Sequence, residues 1–124
     1  MTHIAIIDYE LGNVKSIINA LEKVGANFVL TRNDSEILNS DGVILPGVGA
    51  FSHGVSKLKE YSLDKIIIQY AKQKKPVLGI CLGMQMLFTE SEEFGTTQGL
   101  NLISGKIKKL KTLNSSFRKL PHVS

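Results

Sequence analysis

Pro76-Val77-Leu78-Gly79-Ile80-Cys81-Leu82-Gly83-Met84-Gln85-Met86-Leu87-Phe88 is the stretch that decides the fold. Pro76-Val77-Leu78 is a short apolar run and Met84 to Phe88 is another, and Gly79 and Gly83 stand two residues either side of the only cysteine. The order reads strand, sharp turn, helix, and the spacing is that of a nucleophile elbow. Such an elbow packs strand tightly on helix and strains the backbone at its tip, so a side chain at either flanking position would crowd it. It also sets sulfur at the carboxyl end of a strand and the amino end of a helix. Free N–H groups and the helix dipole there are expected to favour thiolate over thiol. A lone cysteine without these neighbours reads as a small core residue. The two glycines and the strand–helix context make this one a candidate nucleophile.

Working outward, Ile4-Ala5-Ile6-Ile7 is an apolar run expected of a strand covered on both faces. Asp8 to Gly12 is a loop, Asn13 a candidate N-cap, and Val14, Ile17, Ile18, Leu21 and Val24 recur at helical spacing until Gly25. Phe28-Val29-Leu30 predicts a second strand. Val43-Ile44-Leu45 predicts a third, with Pro46-Gly47-Val48-Gly49 at its carboxyl end. Helices are expected from Phe51 to Glu60 and from Leu63 onward, with Ile66, Ile67, Tyr70 and Ala71 on one face. Leu100 to Leu113 reads as strand material. Strands alternating with helices predict an α/β fold with a doubly wound, mostly parallel sheet. Its site should lie outside the carboxyl ends of the strands, where Pro46–Gly49 and Cys81 both fall.

A chain of 124 residues, 43% hydrophobic, is the length of a single domain over residues 1–124. One cysteine excludes an internal disulfide and fits a reducing compartment. The first residues lack a basic region followed by a long apolar segment, and no apolar run approaches the roughly 18–20 residues that span a bilayer. The expectation is a soluble, cytoplasmic protein with no membrane partner. Net charge is +4, with lysines grouped at 72, 74 and 75 and at 106, 108, 109 and 111. Neither group carries interleaved aromatics, so solvated faces or the rim of an anionic site are expected rather than a nucleic-acid platform. No metal or cofactor is called for.

A thiolate at an elbow attacks an acyl carbon to form a thioester. The resulting oxyanion needs N–H donors, one expected from Leu82 and another from the Pro46–Gly49 turn, at Gly49. These segments resemble the class I glutamine amidotransferases, and within them the glutaminase subunits of imidazole glycerol phosphate synthases. The resemblance is carried by Asp8-Tyr9-Glu10-Leu11-Gly12-Asn13, by Pro46 to Phe51, by Gly79 to Gln85 with Leu87-Phe88, and by Gln98-Gly99-Leu100 followed by Leu120-Pro121-His122. It implies a flavodoxin-like amidotransferase fold and a Cys81 that attacks the carboxamide of glutamine. It makes Gly47, Gln85 and Glu93 substrate-binding residues. It also implies a heterodimer with a (β/α)-barrel cyclase that takes the ammonia and makes imidazole glycerol phosphate and an aminoimidazole carboxamide ribotide, in histidine biosynthesis.

One departure stands out. The family activates its cysteine with a histidine in a His-x-Glu motif. Here the three histidines are His3, His53 and His122, and none is followed by that pattern. The expectation is therefore an amino-terminal part of an amidotransferase domain, with the base located elsewhere. Three alternatives stay open on the residues: a binding module without turnover, an ammonia supplier for a surface-sugar amidation enzyme, and a cysteine hydrolase or chaperone-like relative with Glu10 beside Cys81.

Overall fold

In a computed structural model that describes residues 2–92 and 96–107, four parallel strands form one sheet in the order β2-β1-β3-β4. They are β1 (His3–Ile7), β2 (Asn27–Thr31), β3 (Gly42–Leu45) and β4 (Val77–Gly79). The chain steps from β1 to β2 on one side, then crosses back to place β3 on the other side of β1. That reversal opens a crevice at the carboxyl ends of β1 and β3. The loop after Ile7 and the turn after Leu45 border it.

Side chains alternate across a strand, and the two faces differ sharply. Ala5, Ile7, Val43 and Leu45 point into a core shared with α2 (Asp34–Leu38), α3 (Phe51–Glu60), α4 (Leu63–Lys72) and α5 (Leu82–Met86). Phe51, Val55, Leu58, Leu63, Ile67 and Tyr70 complete that core. Among the described residues the opposite face carries only α1 (Lys15–Lys23), which contributes no fully buried residue. Beside α1 runs an open apolar groove of about 410 Å³ lined by Ile4, Leu21, Ile44, Val77 and Leu78. A second of about 350 Å³, with Ile17, Ala20 and Ile80, continues it. Leu78, on β4 at the end of the sheet, is 57% exposed.

The helix ends follow local chemistry. At the end of α1, Gly25 N–H donates to the Glu22 carbonyl (3.1 Å) and Ala26 N–H to that of Leu21 (2.9 Å), the paired bonds of a Schellman stop. Val24, expected on the apolar face, is the C-cap and is exposed. Asn13 does accept from the Lys15 N–H at 3.2 Å, but the residue at the N-cap position is Val14. Helix α2 was not anticipated. Its signal is Asn33, whose side chain accepts from the Glu36 N–H at 3.1 Å.

On the carboxyl-terminal side one expectation changes and the structure locates another. The helix after the elbow ends at Met86, and Phe88 opens β5 (Phe88–Ser91) instead of continuing it. The cause is long-range: Leu100 N–H takes the Met86 carbonyl and Leu102 N–H that of Leu87, both at 2.8 Å. Within Leu100–Leu113, the described strand is β7 (Ile103–Ile107). It joins β5 and β6 (Thr97–Gln98) in a separate sheet of order β6-β5-β7 rather than extending the main one. Lys75 also departs from a solvated face. Its Nζ donates to the carbonyls of Leu38 (2.8 Å) and Ser40 (3.3 Å), completing the end of α2. Glu93, the lysines at 108, 109 and 111, and Leu120-Pro121-His122 lie outside the described residues. Among the described residues no helix is long and apolar enough to cross a membrane.

Candidate active site

Cys81 stands two residues beyond the end of β4 and caps the start of α5, with φ 54° and ψ −120°. A non-glycine residue in that region costs on the order of 1–3 kcal/mol, held only because the surroundings over-determine it. Four backbone bonds do so. Ile80 N–H donates to the Leu45 carbonyl (3.0 Å), Leu82 N–H to Gly47 (3.2 Å), Gly83 N–H to Ile80 (2.9 Å) and Gln85 N–H to Cys81 (3.2 Å). Gly83 is required by close approach, because a Cβ there would overlap the Leu45 carbonyl oxygen. A Cβ on Gly79 would stand 2.5 Å from the Met84 Cα. Gly83 therefore lets the elbow lie on β3 and Gly79 lets α5 lie on β4, and the Cys81 thiol is left exposed at the tip.

The turn after β3 is half inside and half outside. Pro46 and Gly47 are buried, whereas Val48 and Gly49 are exposed, Gly49 with φ 104°. The Leu82–Gly47 bond brings this turn against the elbow, so the two segments share one end of the sheet. The same bond occupies the Leu82 amide, and Gly83 N–H is bonded too. Helix α5 has five residues. The free N–H groups and long helix dipole expected beside the sulfur are thus reduced to a single short turn.

Gln85 lies one helical turn beyond Cys81, half-buried on the same short helix. His3 begins β1, at the end of the parallel sheet opposite Cys81. His53 lies in the first turn of α3, exposed. Glu10, with φ 70°, has its carboxylate 3.8 Å from Arg32, which also meets Asp8 at 3.3 Å. Among the described residues no three His, Cys, Asp or Glu side chains are grouped to hold a metal ion.

The residue that sequence reasoning passed over is Tyr9. It is fully buried, and its hydroxyl donates to the Pro46 carbonyl at 2.5 Å. Burial raises its phenol well above the ordinary 10.0, so it stays a donor. The signal was present: Tyr9 continues the alternation of Ala5 and Ile7, which points it at the core face and hence at the neighbouring β3 turn.

Residues 5–121 match the family model described as glutamine amidotransferase class-I. Imidazole glycerol phosphate synthase subunit HisH of Bacillus cereus (strain AH187) is 48% identical over 120 residues, which cover 97% of this chain and 56% of that protein. The HisH subunit of Bacillus cereus (strain B4264) is 50% identical over the same shares. The chain spans about half the length of the curated relatives it matches. Among solved structures, one described as a glutamine amidotransferase superposes with TM-score 0.71 at 16% identity, covering 84% of this chain and 55% of that one. A putative peptidase E protein from Listeria monocytogenes EGD-e superposes at 0.66, also at 16% identity, over 82% and 63%. Likeness at that identity is likeness of fold.

Proposed function

The chain belongs to the class-I glutamine amidotransferases, and from that premise we propose that it carries the nucleophile half of a glutaminase. The observation that bears most weight is the Cys81 elbow. A strained, exposed thiol at the carboxyl end of β4 is tied through Leu82 and Gly47 to the Pro46–Gly49 turn. A base takes the Cys81 thiol proton, the thiolate attacks the glutamine carboxamide carbon, the C–N bond breaks, and the protonated base returns that proton to the leaving nitrogen, which departs as ammonia. Water then cleaves the thioester to glutamate and regenerates the thiol. Gln85, Gly47 and Glu93 are the residues proposed to hold the glutamine.

The oxyanion is assigned to the amides of Leu82 and Gly49. Because the Leu82 amide donates to Gly47, that bond has to open before it can serve, and the exposed Val48–Gly49 half of the turn is the part free to move. No His-x-Glu stands in these 124 residues, so the base is proposed to come from sequence outside them. The ammonia is proposed to pass to the (β/α)-barrel cyclase that the family resemblance implies; the relatives' names, subunits of an imidazole glycerol phosphate synthase, support a further subunit.

The test supplies what the sequence lacks. The chain is combined with the remaining part of a HisH relative and with the cyclase, and glutamine-dependent product is compared with product from free ammonium. Glutamine-dependent product that disappears in Cys81→Ala supports the reading. An assembled complex that uses ammonium but not glutamine refutes it. A second reading, a docking module without turnover, is favoured by the occupied Leu82 amide. It predicts the complex without glutamine-dependent product.

A further inference from the structure

We propose that Tyr9 is a positioning residue for the oxyanion turn: its buried hydroxyl anchors the Pro46 carbonyl so that the turn stays in register with Cys81. The inference rests on the glutaminase reading and adds a residue to it. Three contacts carry it. The Tyr9 hydroxyl reaches Pro46 at 2.5 Å across 37 residues of sequence, in a fully buried setting. It also packs so closely beneath Gly47 that a Cβ at that position would collide with the phenol oxygen. Finally, a Cβ on Gly12, further along the same loop, would lie 3.1 Å from the Gly47 nitrogen. The loop after β1 is thus braced against the first half of the turn, while Val48 and Gly49 face solvent.

The arrangement divides the turn into a fixed root and a movable tip. Pro46 offers no N–H of its own, so at the root its carbonyl is the polar group by which the turn can be held from below. Water cannot replace the phenol in a site with no exposure without opening the packing of Tyr9 against Gly47. Without the hydroxyl, the Pro46 peptide loses its orientation, and with it the register of the amides that follow, that of Gly49 among them. Misplacement of a catalytic group by about 1 Å costs on the order of 10²-fold in rate. Of the four bonds that hold the backbone around Cys81, only Leu82 N–H to Gly47 runs to the turn that Tyr9 braces; those of Ile80, Gly83 and Gln85 do not involve it. Loss of the hydroxyl should therefore alter reactions that build an oxyanion and spare those that do not.

Two reagents separate these cases on the full chain. The chloroketone analogue of glutamine needs the amino-acid site and passes through a tetrahedral adduct, whereas iodoacetamide alkylates sulfur directly. Buffer at pH about 9 supplies thiolate without a protein base. Tyr9→Phe keeps the ring and removes the hydroxyl. Tyr70→Phe is the matched control, since Tyr70 donates from an equally buried hydroxyl to Ser40 (3.1 Å) away from the elbow. Tyr9→Phe is expected to slow maximal capture by the chloroketone about 10–100-fold, with its half-saturating concentration and the iodoacetamide rate both within about twofold of wild type. Tyr70→Phe should leave all three values in place. Equal capture by Tyr9→Phe and wild type overturns the proposal. So does a parallel fall in both reagents' rates, which would mark a general loss of structure. A wild-type chain that captures the glutamine analogue no faster than a leucine analogue overturns the glutaminase reading, and this proposal with it.

Discussion

Gly83→Ala tests the close packing on which the elbow depends. The new Cβ would overlap the Leu45 carbonyl oxygen and stand 2.7 Å from the Leu45 carbonyl carbon and 3.2 Å from that of Pro46. Carbon atoms in contact prefer about 3.5–4.0 Å, so the elbow must lift from β3 by roughly 1 Å. The atoms in the way are backbone of a central strand and cannot rotate aside. Lifting also stretches the 3.0 Å bond from Ile80 N–H to that same carbonyl. Overpacking of this kind costs about 1–3 kcal/mol, and the weakened bond adds about 0.5–1.5, together about 2–4 kcal/mol. For a chain of 124 residues each kcal/mol moves the melting point by roughly 3–6 °C, so a fall of at least about 6 °C is expected. Gly54→Ala is the internal comparison. Its Cβ would meet Met86 Sδ at 2.7 Å and Leu82 Cδ2 at 2.9 Å, the far ends of flexible side chains. Within α3 the change also gains about 1 kcal/mol of helix propensity. The two opposing terms nearly cancel, and Gly54→Ala should melt within about 4 °C of wild type. Thermal unfolding followed by circular dichroism reads both. A Gly83→Ala chain that melts with wild type, or a Gly54→Ala chain as damaged as Gly83→Ala, would refute the reasoning.

Cys81→Gly should abolish capture of the glutamine chloroketone while raising stability by about 1 kcal/mol, the relief of the φ 54° strain less the entropy of an added glycine; an unchanged or lowered urea midpoint would show the elbow is unstrained. Folding stability should fall as pH rises above about 10, because Tyr9 has a folded-state pKa raised by burial. Its contribution is present in full below the unfolded-state value and is lost as the phenol of the unfolded chain ionises. Tyr9→Phe should remove that component of the pH profile, and an identical alkaline limb in both proteins would count against it. Lys75→Met should cost about 1.5–3 kcal/mol, since its ammonium holds two carbonyls at the end of α2, where a solvated lysine would cost almost nothing. Leu78→Lys should reduce binding of a hydrophobic dye and slow aggregation, since Leu78 lines both grooves beside α1; equal dye fluorescence would place the exposed apolar surface elsewhere.

What depends on neighbours along the chain is legible in the residues alone. Apolar runs at Ile4–Ile7 and Val43–Leu45 define strands, helical spacing over Phe51–Glu60 defines α3, and glycines two residues either side of Cys81 define an elbow. Each is a local pattern, and parallel strands covered by helices follow from their alternation. Other features required the tertiary structure, because they depend on groups far apart in sequence meeting in space. Leu100 and Leu102 claim the Met86 and Leu87 carbonyls and turn an expected helix into β5. Lys75 turns inward because Leu38 and Ser40 leave their carbonyls beside it, and nothing in Lys74-Lys75-Pro76 distinguishes it from its neighbour. Above all, Tyr9 and the Pro46 carbonyl are 37 residues apart, and the Leu82 amide finds Gly47 across a similar span. Alternation along a strand states which face a side chain takes. Only the β1–β3 register states which carbonyl it finds there.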